Sequence, residues 1–412
     1  MKTDPDRTRA SRAQDARVVG VVGVAHALSH FSQLLLAPLF PWLKDAFALS
    51  YAELGLLMTI FFVVSGIGQS LAGFVVDRVG ALPVMLGSIA LFALAAVVFA
   101  LSNGYVMLGI GALVAGLGNA SFHPVDYSIL NARISHERIG HAYAAHGVSG
   151  NLGWAAAPVF LVTIAQFAGW RMAFAGASLV ALVVLVVVWW HRDALETPPH
   201  VQEEASAAAG DTGAFDFLRL PAVWLGFAFF CAYAFALGGV QSFAPEAARL
   251  LHGVPIQAVA WCLTAFMLAS AGGTLVGGFM AGDPERAERV IAACFGIAVL
   301  LALSLAWLPW PGVAVPFVFA AMGAASGLAN PSRDMLIRRA TPPGATGRVY
   351  GVVYSGLDLG TSTSPLLFGM LMDAHSPSFV FVGIAAAQAL LILGAFRTGR
   401  ATRVRGVAPE AA

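Results

Sequence analysis

Charge is scarce in this sequence. Of 412 residues only 11% are Asp, Glu, Lys or Arg and 58% are hydrophobic, whereas soluble domains are about 25% charged. So few charges do not coat several water-soluble domains, and most of the surface must face lipid. An excess of either sign is also missing. The 23 basic and 22 acidic residues leave a net charge of +1, without the basic face that nucleic acid requires, so no nucleic-acid partner is expected. Cysteine is nearly absent: Cys231, Cys262 and Cys294 have neither an even count nor metal-ligand spacing. Disulfide scaffolds and cysteine zinc sites are thereby excluded, and neither a metal nor an organic cofactor is expected.

Long apolar runs are what the sequence does have. Twelve stretches can each cross a hydrocarbon core of roughly 30 Å as a helix: 18–43, 52–76, 82–101, 104–128, 141–167, 170–190, 220–245, 257–281, 288–308, 312–336, 348–372 and 377–396. They are unbroken and not alternating, which favours self-satisfied helices over a β-barrel. A cytoplasmic N-terminus leaves all but Lys44, Arg171 and Arg249 of the 23 basic residues on the cytoplasmic side, as the positive-inside rule demands. The reading is a multi-pass protein of a bacterial inner membrane with both termini cytoplasmic. The polar start, 1–17, resembles a signal-peptide n-region, but the following run is too long for an h-region and lacks a small-residue cleavage site.

A polar stretch at 191–219, with Pro198, Pro199, Glu203 and Glu204, reads as a cytoplasmic linker. It divides the spans six and six, giving bundles at 18–190 and 220–396 and a C-terminal tail at 397–412. The halves share an offset of 207 residues: Ala37-Pro38 with Ala244-Pro245, Gly140 with Gly347, Tyr143 with Tyr350, Gly153 with Gly360, Pro158 with Pro365 and Gly176 with Gly383. A constant offset at helix-deforming residues points to duplication. The expected fold is all-α, with twelve transmembrane helices in two pseudo-symmetric six-helix bundles and a site between them near the bilayer midplane.

Gly73-Phe74-Val75-Val76-Asp77-Arg78-Val79-Gly80, between the second and third spans, resembles the G-x-x-x-D-R/K-x-G loop of the major facilitator superfamily. Asp77 there suits a latch to a helix N-terminus, with Arg78 beside it. The usual basic residues after Gly80 are replaced by Ala81-Leu82-Pro83, and the second copy, Gly278 to Asp283, is degenerate. Within the superfamily the sequence is most similar to the fosmidomycin-resistance type of efflux transporter. The similarity lies in His26, Gln33 and Phe40-Pro41 of the first span, Gln69, Phe122-His123-Pro124, and Gly150-Asn151-x-Gly153 followed by Pro158. His30 stands where that family carries an acid, and Val125-Asp126 where it shows Glu. The resemblance implies a major facilitator fold and efflux of a small molecule; it is mostly architectural over the second half.

Ionisable side chains within spans are functional candidates because their burial costs a few kcal/mol unless they meet water or a partner. His26, His30 and Gln33 share one face of the first span, and His30 is a candidate for the coupling proton because histidine titrates near neutrality. Asp358 is the deepest acid and the repeat mate of Asn151, so it is the first candidate for proton coupling. Substrate-cavity candidates are His26, His30, Gln33, Gln69, Asn151 and Asp358. Gate candidates are Asp77, Arg78, His123, Asp126, Arg333 and Asp334. His146 reads as a packing or lipid-facing residue. Glycine-rich runs such as Gly272 to Gly278 follow no strand and lack a phosphate-loop lysine, so they read as helix-packing surfaces. No catalytic constellation is visible, and an enzyme is not expected. The resulting expectation is a monomeric secondary transporter, exporting a small organic compound in exchange for protons by alternating access. The rival readings are a proton-symport importer and, from another class, a non-transporting membrane sensor.

Overall fold

Where backbone N–H and C=O groups have no water to bond, each segment must satisfy its own, and the apolar runs accordingly become helices. The computed structural model describes the backbone of residues 5–135, 137–196, 221–280, 287–340 and 346–406, with side chains from 12 onward except 136, 197–222, 280–287, 334–352, 354 and 398–412. The helices are α1 (Pro5–Gln33), α2 (Phe40–Phe47), α3 (Tyr51–Val79), α4 (Ala81–Ala100), α5 (Tyr105–Asn119), α6 (Phe122–Arg133), α7 (Ile139–Ala168), α8 (Trp170–Trp190) and α9 (Arg192–Leu195). They continue with α10 (Pro221–Ser242), α11 (Ala244–His252), α12 (Ile256–Met280), α13 (Ala287–Trp307), α14 (Val315–Ala340), α15 (Thr346–Asp373) and α16 (Ser378–Gly406). Ten described stretches are long and apolar enough to cross a membrane. The more polar α14 and α15, of 26 and 28 residues, complete the twelve spans.

Several boundaries differ from the sequence expectation, each for a local reason. The first span is interrupted by a 3-10 turn at Ala37–Leu39 containing Pro38. Its equivalent, the seventh span, breaks before α11, whose first turn holds Pro245. Proline lacks the N–H a continuous helix would use, and it suits a helix start. The fourth span divides into α5 and α6 around Ala120 and Ser121. At the chain ends α1 begins at Pro5 and α16 runs to Gly406, because hydropathy marks where lipid ends and not where a helix ends. The expected linker opens with α9, and most of it lies outside the described residues.

The chain forms two compact units, Met1–Leu49 with Ile60–Glu203 and Ser50–Thr59 with Glu204–Ala412. Within the first, α1 packs on α7 and α4 on α8; within the second, α10 packs on α15 and α13 on α16. These are equivalent pairs under the duplication, and equivalent glycines close them. A Cβ on Gly153 would collide with the backbone of Ala27 in α1, and one on Gly360 would collide with the backbone of Cys231 and Phe235 in α10. In the second unit the Asp373 carboxylate accepts the N–H groups of Tyr51 and Ala52, at 2.8 Å each, and so caps α3. Gly80, last residue of the sequence motif, has φ 93° at the start of α4, a conformation that glycine adopts without strain.

Candidate functional site

In the first unit α1 turns His26, Ser29, His30 and Gln33 inward, at the three- and four-residue spacing of one helical face. Asp126 of α6, at 0% exposure, meets that face. His146 Nε2 of α7 is hydrogen-bonded to Asp126 Oδ2 at 2.9 Å. His26 Nδ1 approaches the same oxygen to 2.9 Å, a charge-pair distance off the line of a hydrogen bond. The His26 and His146 rings stack with centres 3.5 Å apart, while His30 and His123 lie 4.4 and 5.6 Å from His26. Gly150 makes the room, since a Cβ there would strike the His30 and His26 rings.

This pocket contains four imidazoles and one carboxylate. Among the described residues the ion-pair partners of Asp126 are His26 and His146, and neither Lys nor Arg joins them. A fully buried anion costs several kcal/mol unless compensated. Asp126 Oδ1 and the Nδ1 atoms of His26, His30 and His123 are buried without a hydrogen-bond partner among the described residues.

One turn along α1 the pocket changes to neutral polar groups. His30 stacks on Trp154 of α7 with ring centres 4.0 Å apart. The Trp154 indole N–H donates to Gln33 Oε1 at 3.1 Å, and the Gln33 amide donates to Asn119 Oδ1 at 3.2 Å. Ser29 also donates to Asn119, at 2.8 Å, and Asn119 Nδ2 donates to Ser65 Oγ of α3 at 2.7 Å. One amide thus ties α1 and α3 to α5.

The second unit is built differently. Asp358 lies half-buried in α15, in no ion pair among the described residues. The Arg333 guanidinium of α14 sits over the Tyr233 ring at 4.3 Å and the Phe230 ring at 5.3 Å, a cation–π arrangement on α10. Asn330 donates to Thr274 Oγ1 at 3.3 Å, tying α14 to α12.

Of the residues singled out from sequence, His26, His30, His123 and Asp126 assemble in one cluster and Gln33 joins its neutral edge. Asn151 donates to the Gly147 carbonyl one turn back in its own helix, at 3.0 Å. Gln69 is partly exposed without a polar partner among the described residues, and Asp77 and Arg78 are exposed at the end of α3. The Asp334 side chain lies outside the described residues. Sequence reasoning passed over His146 as packing and did not reach Ser29, Ser65, Asn119 or Trp154. Asn119 gave one usable signal, an amide alone in an apolar span at the point where that span breaks.

The Major Facilitator Superfamily sequence profile matches residues 22–322 and again 253–411. The chain belongs to this superfamily. It is 25% identical over 374 residues to the fosmidomycin resistance protein of Escherichia coli (strain K12), covering 88% of each chain. It is also 25% identical over 414 residues to the membrane sensor protein UhpC of Salmonella typhimurium, covering 93% of this chain and 91% of that one. A bacterial homolog of the human lysosomal transporter Spinster shares the fold, with a TM-score of 0.75 at 16% identity over 95% of this chain and 97% of that one. The superfamily is one of membrane transporters, so the arrangement above is that of a multi-pass transporter with a polar interior in each six-helix unit.

Proposed function

We propose that this chain is a proton-coupled antiporter, working as a monomer by alternating access in a bacterial inner membrane with both termini cytoplasmic, and that it exports a small organic compound. The observation that carries the reading is Asp358, an acid in the middle of a spanning helix, half-buried and without an ion-pair partner among the described residues. Such a side chain is expensive in a membrane unless it works. His30, the other carrier considered from sequence, is sealed between the His26 and Trp154 rings. Asp358 is therefore the proton carrier, and the Gln33, Asn119 and Trp154 edge offers the substrate hydrogen bonds and an aromatic face. Export is favoured over import by the similarity to the fosmidomycin resistance protein over most of both chains.

Fosmidomycin is accordingly the first probe, followed by compounds that raise the thermal midpoint of the purified protein. In inside-out vesicles with an acid interior, a transported compound discharges the gradient. Asp358→Asn is expected to lower that discharge by about tenfold or more while leaving the thermal midpoint near wild type. Full discharge by the variant across the pH range would remove Asp358 from the mechanism. The similarity to UhpC supports a second reading, a sensor; such a protein would bind a compound in the thermal assay and move none.

A further inference from the structure

We propose that the first unit binds one divalent transition-metal ion of the zinc and cobalt class, held by His26 and His146 nitrogens and Asp126 Oδ2. The ligand-capable atoms of His26, Asp126 and His146 all lie within 4.8 Å of one another. They come from three helices of one unit, α1, α6 and α7, and all three residues are buried. A set of imidazoles with a single carboxylate is the donor chemistry of zinc, cobalt(II) and nickel(II) rather than of calcium or magnesium.

Three features point to a cation beyond the pairing already described. Asp126 is a completely buried carboxylate whose described partners include no permanent positive charge. Asp126 Oδ1 is buried without a hydrogen-bond partner among the described residues, and His26 Nδ1 has only its off-line approach to Asp126 Oδ2, so donor capacity is left over at the cluster. The geometry is also near what is needed: metal–ligand bonds of roughly 2.0–2.1 Å put tetrahedral donors about 3.3 Å apart. The 2.9 Å separations of Asp126 Oδ2 from the two histidines would open by only a few tenths of an ångström, and the stacked His26 and His146 rings would turn so that both lone pairs meet one ion. Binding replaces the hydrogen bond between His146 Nε2 and Asp126 Oδ2. His123 is the partly exposed member of the cluster and marks the side from which an ion enters.

The test uses full-length protein in detergent micelles, stripped with chelator and carrying no polyhistidine tag. Cobalt(II) is titrated by visible absorption and zinc(II) by calorimetry. Wild type should take up one saturable equivalent, with the intense absorption of a tetrahedral cobalt site, and zinc should displace the cobalt. His146→Gln and Asp126→Asn should each weaken binding by about a hundredfold, whereas His141→Gln, at an exposed histidine outside the cluster, should bind as wild type. If Asp126→Asn fails to fold, His26→Gln replaces it in the same titration. Absence of a saturable equivalent in wild type, or binding unchanged in both cluster variants, overturns the proposal and leaves the cluster as a proton-sharing network. Asp358→Asn should bind cobalt as wild type does, so loss of transport through that residue and loss of the metal site are read separately.

Discussion

The two units share helix order, helix pairing, packing glycines and an amide-to-hydroxyl bond between equivalent helices, Asn119 to Ser65 and Asn330 to Thr274, yet the ionisable groups of their interiors differ. The first gathers four histidines around a buried carboxylate and continues into an amide network. The second keeps one half-buried acid apart and lays an arginine on aromatic rings. A duplicated scaffold has been kept where backbones touch and altered where ionisable side chains meet the interior. The backbone constraint concerns steric exclusion and is the same in both copies, whereas each polar group needs only its own partners.

The comparison breaks most sharply at the two acids. Asp126→Ala strands two buried imidazoles and should cost about 3–5 kcal/mol, read as a lower midpoint in detergent unfolding. Asp358→Asn should cost below about 1 kcal/mol, since it breaks no ion pair. Equal losses would mean that Asp358 has a structural partner and that the two interiors are more alike than their contacts indicate. The next effect tests the shared scaffold. Gly153→Leu and Gly360→Leu each drive a side chain into the backbone of a facing helix, and each should cost about 1–3 kcal/mol or prevent folding. A loss in one unit alone would mean that the equivalent positions no longer do the same job. The smallest effect sharpens the contrast within the first unit. Asn119→Leu removes three hydrogen bonds, worth about 0.6 kcal/mol each in a membrane, so it should cost roughly 1–2 kcal/mol and move the midpoint less than Asp126→Ala does.

The scaffold was legible because lipid imposes a simple rule. Runs of apolar residues and the 207-residue offset at Gly153 and Gly360 follow from local constraints that a single chain displays. Breaks in the spans were less legible, since Pro38 and Pro245 are visible in sequence while the division at Ala120 and Ser121 has no proline to mark it. The site was half legible. His26, His30 and Gln33 declare themselves by helical spacing, and His123 and Asp126 by being polar in an apolar run. What brings His146 to Asp126, and Trp154 to Gln33, is the packing of α7 on α1, made close by Gly150 and Gly153. Contacts between residues 121 positions apart, such as Trp154 and Gln33, leave no periodic trace. The sequence alone therefore leaves His146 as a packing residue and Asp126 as a gate candidate, without showing that the two meet.

Proton exchange through Asp358 is tested most directly by flux in sealed inside-out vesicles with an acid interior, followed by a pH-sensitive dye while a compound selected by thermal shift is added. Wild-type protein should discharge the gradient promptly, and Asp358→Asn, present at the same level and with the same thermal midpoint, should discharge it little or not at all. Discharge of equal rate by the two proteins would contradict proton exchange through Asp358.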